Sequence, residues 1–140
     1  YHQLLWTDSK EHKYIEESGT MNVMFVIDDV LITPSLSGTI LPGITRNSVL
    51  KIAEDWGYKV EERQISVEEI ILAIKEGRLQ EAFGAGTAAT IAQIEVIGHE
   101  GTNYNLPEIA TRKLSNKVLS FLNNIKRGQE TDKWGWIEKI

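Results

Sequence analysis

The feature that most constrains the fold is a nearly continuous apolar run from Asn22 to Ile27. Because the run is short and contains β-branched and aromatic residues, it is typical of a strand buried in a sheet. Asp28-Asp29 then gives a tight turn, and Val30 to Thr33 is predicted to pair back as the second arm of a hairpin. A further short strand is predicted from Gln3 to Thr7.

The apolar period changes after a loop from Pro34 to Gly43 that is rich in serine, glycine and proline. From Ile44 to Trp56 the apolar residues fall on one helical face, and Gly57 is a typical residue for the end of a helix. Tyr58 to Ile65 alternates between apolar and polar residues, which predicts a strand.

A second helix is predicted to start at Ser66, which forms a capping box with Glu69, and to end near Gly77. A glycine-rich turn from Gly84 to Thr87 follows. The small and β-branched residues from Ala88 to Ile97 then predict another strand.

The last third of the chain is predicted to hold a turn region from Gly98 to Asn105 and a long amphipathic helix from Pro107 to Ile125. The aromatic tail from Trp134 to Ile137 is expected to dock on the body. Strands and helices therefore alternate along the chain, and no linker divides it. We expect one mixed α/β domain that spans residues 1–140.

Composition excludes several classes of function. The net charge of −5 gives no sign of a nucleic-acid surface, and no apolar run approaches the ~20 residues that cross a membrane. The absence of cysteine excludes disulfides and thiolate metal sites, and it fits a cytoplasmic location. His2, His12 and His99 share no ligand spacing, so we expect no metal site. The chain starts at Tyr1 without an initiator methionine, and we expect it to be a fragment or a processed piece.

Three loops could together hold one anionic ligand. Leu41 to Arg46 leads into a helix N-terminus, which binds phosphate readily. Gly84 to Thr87 could surround a phosphate with backbone amides. Glu16 to Asn22 offers a carboxylate beside a buried strand. Each loop alone is explained more simply as an ordinary turn, with solvated glutamates in the third.

Taken together and in this order, the loops resemble those of the fold-type IV aminotransferases, and most of all the branched-chain amino acid aminotransferases. The resemblance rests on Leu4-Leu5-Trp6, Glu17-Ser18-Gly19-Thr20-Met21-Asn22, Leu41-Pro42-Gly43-Ile44-Thr45-Arg46, Glu81-Ala82-Phe83-Gly84-Ala85-Gly86-Thr87 and Gly135-Trp136. It covers nearly the whole chain. It implies a mixed sheet or pseudo-barrel with flanking helices, as in the large C-terminal domain of those enzymes.

The resemblance also implies a cofactor, pyridoxal 5'-phosphate, and the residues that hold it. The expected cofactor-binding residues are Glu17, Leu41, Ile44, Thr45 and Thr87. Glu17 would face the pyridine nitrogen, Leu41 would pack against the ring, and the other three would hold the phosphate. Thr20 and Ala88 would border the substrate.

The same resemblance implies an enzyme that moves the amino group of leucine, isoleucine or valine to 2-oxoglutarate, as a homodimer or larger oligomer. In the family, the lysine that binds the cofactor lies upstream of the Leu4-Leu5-Trp6 strand. We therefore predict no catalytic residue in this chain and no activity for it alone. The alternatives are a D-amino acid aminotransferase, an aminodeoxychorismate lyase, or a non-catalytic interaction domain on the same scaffold.

Overall fold

The computed structural model describes residues 5–7, 13–18, 21–36, 43–86 and 91–126. Nine strands, three α-helices and one 3-10 helix lie in these ranges. The strands are β1 (Leu5–Thr7), β2 (Ile15–Ser18), β3 (Met21–Ile27), β4 (Val30–Thr33), β5 (Lys59–Glu62), β6 (Leu79–Ala85), β7 (Ile91–Gln93), β8 (Val96–His99) and β9 (Thr102–Asn105). The helices are α1 (Ile44–Asp55), α2 (Val67–Lys75), the 3-10 helix (Ile109–Thr111) and α3 (Leu114–Lys126). The mixed α/β class is as predicted.

Strand β3 is the centre of a seven-stranded mixed sheet. Strand β6 pairs antiparallel with it from Asn22 to Ile27. Strands β2 and β4 share its other edge, because β2 pairs with its first two residues and β4 with its last three. Between these two strands, the buried Thr33 hydroxyl donates to the Val23 carbonyl over 2.8 Å. The side chain therefore satisfies a backbone group where the sheet divides.

Strands β4 and β5 are parallel, with Val30 opposite Lys59. Parallel neighbours need a crossover, and helix α1 provides it. The predicted tight turn before β4 is also present, since Asp28 and Asp29 both have positive φ values of 51° and 63°. This left-handed pair suits a two-residue hairpin. The order β4, α1, β5 sets the N-terminus of α1 just beyond the carboxyl end of β4.

The alternation of β3 divides the core into two layers, which lie on opposite faces of the sheet. Val23, Phe25 and Ile27 pack with α2 on one face. Met24 and Val26 pack with α1 and α3 on the other. All five side chains are at most 5% exposed. Burial of each contributes roughly 1.5–3 kcal/mol relative to an exposed position, so the central strand anchors both layers.

Three predicted segments between Gly84 and Asn105 are wrong in detail. Gly84 belongs to strand β6 rather than to a turn. The strand predicted from Ala88 to Ile97 is instead two strands, β7 and β8, interrupted at Ile94 and Glu95. The predicted turn region from Gly98 is an ordered hairpin of β8 and β9. Its two-residue turn has positive φ at Glu100 and Gly101.

The long helix predicted from Pro107 to Ile125 is present, but its predicted start is wrong. A 3-10 turn ends at Thr111, and Arg112 is extended with φ −80° and ψ 125°. Helix α3 begins only at Leu114, where the buried carboxylate of Glu81 accepts the Leu114 amide over 2.8 Å. A cap that comes from a distant strand sets the start of this helix.

The capping box at Ser66 is half formed. The Ser66 hydroxyl accepts the Glu69 amide over 3.0 Å, as predicted. The Glu69 carboxylate, which was expected to reach back to the helix start, instead accepts two hydrogen bonds from Arg63. The strand before it is shorter than predicted, ending at Glu62 rather than Ile65. The predicted docking of Trp134 to Ile137 lies outside the described residues.

Among the described residues, none of the helices combines the length and the apolar character needed to cross a membrane.

Candidate functional site

Helix α1 begins without a capping side chain. Its N-cap residue is Gly43, and its first turn contains no acidic residue. By contrast, Ser66 caps α2 and Glu81 caps α3. No side chain in the described part of the chain accepts a hydrogen bond from the amides of Ile44 or Thr45. These amides and the positive end of the helix dipole are therefore available to an anion.

The start of α1 lies directly against strand β3. A Cβ atom added to Gly43 would overlap the Oδ1 atom of Asn22. Asn22 is 7% exposed, so its amide fills this space from within the protein. Glycine at position 43 lets the backbone of the helix start approach the sheet closely.

The start of α1 also lies against the end of strand β6. The Thr45 hydroxyl donates to the carbonyl of Gly86 over 3.4 Å, a long hydrogen bond. Ala85, the residue before Gly86, is the cross-strand partner of Asn22. The N-terminus of α1, the start of β3 and the end of β6 therefore meet in one place.

Strand β2 brings the backbone of Glu17 to the same row of the sheet. Glu17 is paired with Asn22, and Asn22 is paired with Ala85 on its other side. Since neighbouring strands lie ≈ 4.7–4.9 Å apart, the Glu17 and Ala85 backbones are about 10 Å from each other. The segments that hold Glu17 and Thr45, which are distant in sequence, are thus neighbours in the fold.

The two glycines near the end of β6 have a structural reason to be glycine. An added Cβ would lie 3.2 Å from the Met21 sulfur at Gly84, and 3.1 Å from the Met21 Cε at Gly86. Both contacts are tighter than nearly all real Cβ contacts. A Cβ at either position would require the Met21 side chain to move by a few tenths of an ångström, so close packing of Met21 is one structural reason for glycine here.

Arg46, in the first turn of α1, belongs to the predicted loop from Leu41, but no role was predicted for its side chain. It is 3% exposed, and its guanidinium donates to the Pro34 carbonyl over 3.2 Å and to Glu62 over 2.7 Å. Its Nε has no partner among the described residues. The guanidinium joins the ends of β4 and β5 to the helix start. The signal for it was available, because Arg46 shares the inward helical spacing of Val49 and Leu50.

The predicted site residues divide into three groups. The structure brings Ile44 and Thr45 to one helix end, and it places the Glu17 backbone in the adjacent row of the sheet. Four residues lie outside the described ranges, so their roles stay predictions: Thr20, Leu41, Thr87 and Ala88. Within the described ranges, no three histidine, aspartate or glutamate side chains are grouped as they would be at a metal.

Comparison with known proteins identifies the family. The protein-family model for class IV amino-transferases matches residues 2–97 of the sequence. This stretch contains all three of the loops described above. The chain belongs to the class IV aminotransferase family. Its mixed sheet with flanking helices is the fold of solved fold-type IV aminotransferases, as the sequence predicted.

Within this family, the similar proteins include branched-chain amino acid aminotransferases. A probable branched-chain-amino-acid aminotransferase of Staphylococcus epidermidis is 43% identical over 140 residues, which is 100% of this chain and 39% of that protein. The structure of the Escherichia coli branched-chain amino acid aminotransferase matches with a TM-score of 0.79 and 29% identity, over 99% of this chain and 43% of that one. The chain thus spans about two fifths of the length of these proteins.

A third match concerns the fold alone. An aminotransferase from Brucella abortus, solved with the co-factor PLP bound, has a TM-score of 0.71 at 24% identity. The match covers 90% of this chain and 40% of that one.

Proposed function

We propose that residues 1–140 are the C-terminal cofactor-binding domain of a branched-chain amino acid aminotransferase. The whole protein would transfer the amino group of leucine, isoleucine or valine to 2-oxoglutarate with pyridoxal phosphate. One observation carries the proposal beyond family membership. The uncapped start of α1 lies against the strand row that contains the Glu17 backbone, so one small ligand could present its phosphate to the helix and its ring nitrogen to Glu17.

The residues present fit this cofactor. A phosphate needs amide donors that no side chain already occupies, and Ile44 and Thr45 offer two. Each hydrogen bond to such a charged group contributes roughly 1.5–3 kcal/mol. The buried Arg46 lies within the same turn, and its ion pair with Glu62 joins the helix start to the end of β5. The absence of acidic side chains from that turn removes the repulsion that would oppose a dianion.

Glu17 would hold a proton on the pyridine nitrogen. When bound, pyridoxal phosphate supplies a ring that accepts the electron pair released at the substrate's α-carbon. A carboxylate beside the nitrogen favours the protonated ring by Coulomb attraction, and each pKa unit of this preference corresponds to ~1.4 kcal/mol. Leu41 would pack against the ring face and keep it in register with Glu17.

The tip of the β6–β7 hairpin would border both cofactor and substrate. Thr87 would donate its hydroxyl to the phosphate. The backbone of Thr87 and Ala88 would offer amides to the substrate carboxylate, and Thr20 would also border the substrate. The hydrogen bond from Thr45 to Gly86 supports this placement, because Gly86 directly precedes Thr87.

The covalent anchor for the cofactor would come from outside these 140 residues, as the family resemblance implies. We therefore expect the isolated chain to be inactive. Incubation with pyridoxal phosphate and reduction with borohydride should leave no adduct at one unique lysine. A stable adduct at a single lysine, together with turnover of leucine, would overturn this part of the proposal.

Substrate profiling of the whole enzyme tests the function itself. We expect turnover of leucine, isoleucine and valine with 2-oxoglutarate. Preference for D-alanine would indicate a D-amino acid aminotransferase, and release of pyruvate from aminodeoxychorismate would indicate the lyase. The lack of any cofactor-dependent reaction would favour an interaction domain. We further propose a cytoplasmic homodimer or larger oligomer, which light scattering of the whole enzyme would check.

A further inference from the structure

A buried arginine lies at the base of the β6–β7 hairpin. Arg112 is 3% exposed, and a charged side chain is rarely buried unless it has partners. Its Nη1 donates to the Ala82 carbonyl over 2.9 Å and to the Gln93 side chain over 2.7 Å. Its Nη2 donates to the Ile94 carbonyl over 2.6 Å, and Nη2 and Nε both donate to Pro107. One guanidinium therefore joins both arms of the hairpin to the segment before α3.

The contacts continue through the hairpin into helix α3. The Gln93 amide donates to the Ser115 hydroxyl over 2.8 Å, and that hydroxyl donates to the buried Glu81 carboxylate over 2.5 Å. Glu81 in turn accepts the Leu114 amide. The base of the hairpin is thus attached to the N-terminus of α3 by a continuous set of hydrogen bonds.

Beyond Gln93 the described arms of the hairpin pair mainly through small residues, and Ile91 is the one large side chain there that packs in the core. The pairs beyond Gln93 are Gly84 with Ala92 and Ala85 with Ile91. Three of these four residues are glycine or alanine, and Gly86 follows them. Register is weakly specified in glycine-rich strands, and a slip by one residue would turn every side chain to the other face. The side-chain contacts of Arg112 and Gln93 at the base therefore add to the core packing of Phe83 and Ile91 in setting the register.

We propose that Arg112, acting through Gln93, is a positioning residue that fixes the register of the β6–β7 hairpin and so places its tip for the substrate carboxylate. The second half of this inference rests on the function proposed above, in which the tip carries Thr87 and Ala88. The contact of Arg112 with β6 is at Ala82, which precedes Thr87 by five residues in the sequence.

Arginine suits this role better than lysine. Its five donors lie in one plane and reach four separate acceptors here, whereas lysine has three donors at one point. Burial lowers the pKa of the Arg112 guanidinium, and the nearby Glu81 and Glu95 oppose that effect. Glu81 therefore supports Arg112 in two ways, by its charge and through the hydrogen bonds of Ser115.

The test compares Arg112→Lys and Gln93→Ala with the control Arg63→Lys in the whole enzyme. Arg63 undergoes the same chemical change, but its ion pairs lie with Glu61 and Glu69, away from the hairpin. Hydrogen exchange of amides 83–93 measures how often the pairing of the hairpin opens, and this measurement does not depend on activity. The KM for leucine and the kcat measure the placement of the tip.

We expect both hairpin variants to speed exchange of these amides by about tenfold or more, and Arg63→Lys to leave it unchanged. The KM should rise by about tenfold while the kcat changes by less than about threefold.

If Arg112→Lys does not fold, Gln93→Ala decides, because it leaves the buried charge in place. Unchanged exchange in Gln93→Ala would overturn the register claim. Faster exchange with an unchanged KM would overturn the link to the substrate. A wild-type enzyme without transaminase activity would overturn the proposed function, while the exchange data would still test the register.

Discussion

The side-chain amide of Asn22 occupies the space in which a side chain on Gly43 would begin. The two residues belong to a central strand and to the start of a helix, and their contact sets how closely the helix N-terminus approaches the sheet. The amides proposed to hold phosphate are the next two along the chain, so the position of this contact determines the position of the proposed site.

We predict that Gly43→Ala will weaken binding of pyridoxal phosphate to the whole enzyme. The added methyl group would overlap Asn22 Oδ1, and the helix start would have to move away from the sheet. Loss of one hydrogen bond to a charged phosphate would weaken binding by about tenfold or more. The dissociation constant, measured by absorbance titration, tests this. Asn22→Ala should restore part of the lost affinity in the double variant.

Gly101→Ala is the matched control for that change. It also replaces glycine with alanine, but its surroundings are open and it lies in the β8–β9 turn with φ +79°. It should destabilise the fold by about 1 kcal/mol through backbone strain and leave cofactor affinity unchanged. Equal cofactor affinity for Gly43→Ala and Gly101→Ala would contradict the proposed role of the contact.

A second prediction concerns the buried cap of α3. Glu81→Gln should lower the free energy of unfolding by about 1–3 kcal/mol, because the amide group cannot accept all three hydrogen bonds that the carboxylate accepts from Leu114 and Ser115. Urea unfolding measures the loss. Glu108→Gln, at an exposed position, should change stability by less than about 0.5 kcal/mol. A loss at Glu81 no larger than that at Glu108 would show that the cap contributes nothing.

A third prediction concerns alkaline pH. Burial, followed by the nearby carboxylates of Glu81 and Asp29, raises the pKa of the Tyr58 hydroxyl above its usual value. The unfolded chain therefore releases this proton first, and stability should fall as pH rises above about 10. Tyr58→Phe cannot ionise, so its stability should fall less over the same range. A difference between the two proteins that stays constant from about pH 8 to 11 would argue against this.

A fourth prediction separates chemistry from binding at Glu17. In the whole enzyme, Glu17→Gln should lower the kcat by about a hundredfold or more, because the ring nitrogen loses the carboxylate that keeps it protonated. The KM for leucine should change far less, since Glu17 is not expected to touch the substrate. Steady-state kinetics give both values. Turnover equal to that of the wild type would remove Glu17 from this role.

The sequence predicted those elements whose causes are local. Strand β3, the two-residue turn at Asp28-Asp29 and helix α1 each follow from the residues that compose them. Helix α3 was predicted too long at its start because its cap, Glu81, comes from a strand 33 residues earlier. No window of sequence around Leu114 contains that information.

Gly84, the first of the two glycines near the end of β6, was misread for a similar reason. Glycines separated by one residue favour a turn when they are considered alone. In the fold, Gly84 and Gly86 make room for Met21, which extends from a neighbouring strand. The predicted turn region from Gly98 to Asn105 contains the turn at Glu100 and Gly101, but the pairing of β8 with β9 around it was missed, since the usual sequence signal for such a hairpin is Asn-Gly or Asp-Gly.

The candidate site was predicted mainly from the family resemblance, because each of its loops alone is explained by an ordinary turn. The structure adds the contacts that bring the segments together: Thr45 with Gly86, and Asn22 with both Glu17 and Ala85. Arg46 could have been found from its inward helical spacing. Its partners Pro34 and Glu62 could not, because they depend on the parallel pairing of β4 with β5.

A crystal structure of the whole enzyme with pyridoxal phosphate tests the account most directly. We expect the phosphate oxygens within hydrogen-bond distance, roughly 2.7–3.2 Å, of the backbone nitrogens of Ile44 and Thr45. We also expect the Glu17 carboxylate beside the pyridine nitrogen. A phosphate bound elsewhere, with the start of α1 open to water, would contradict it.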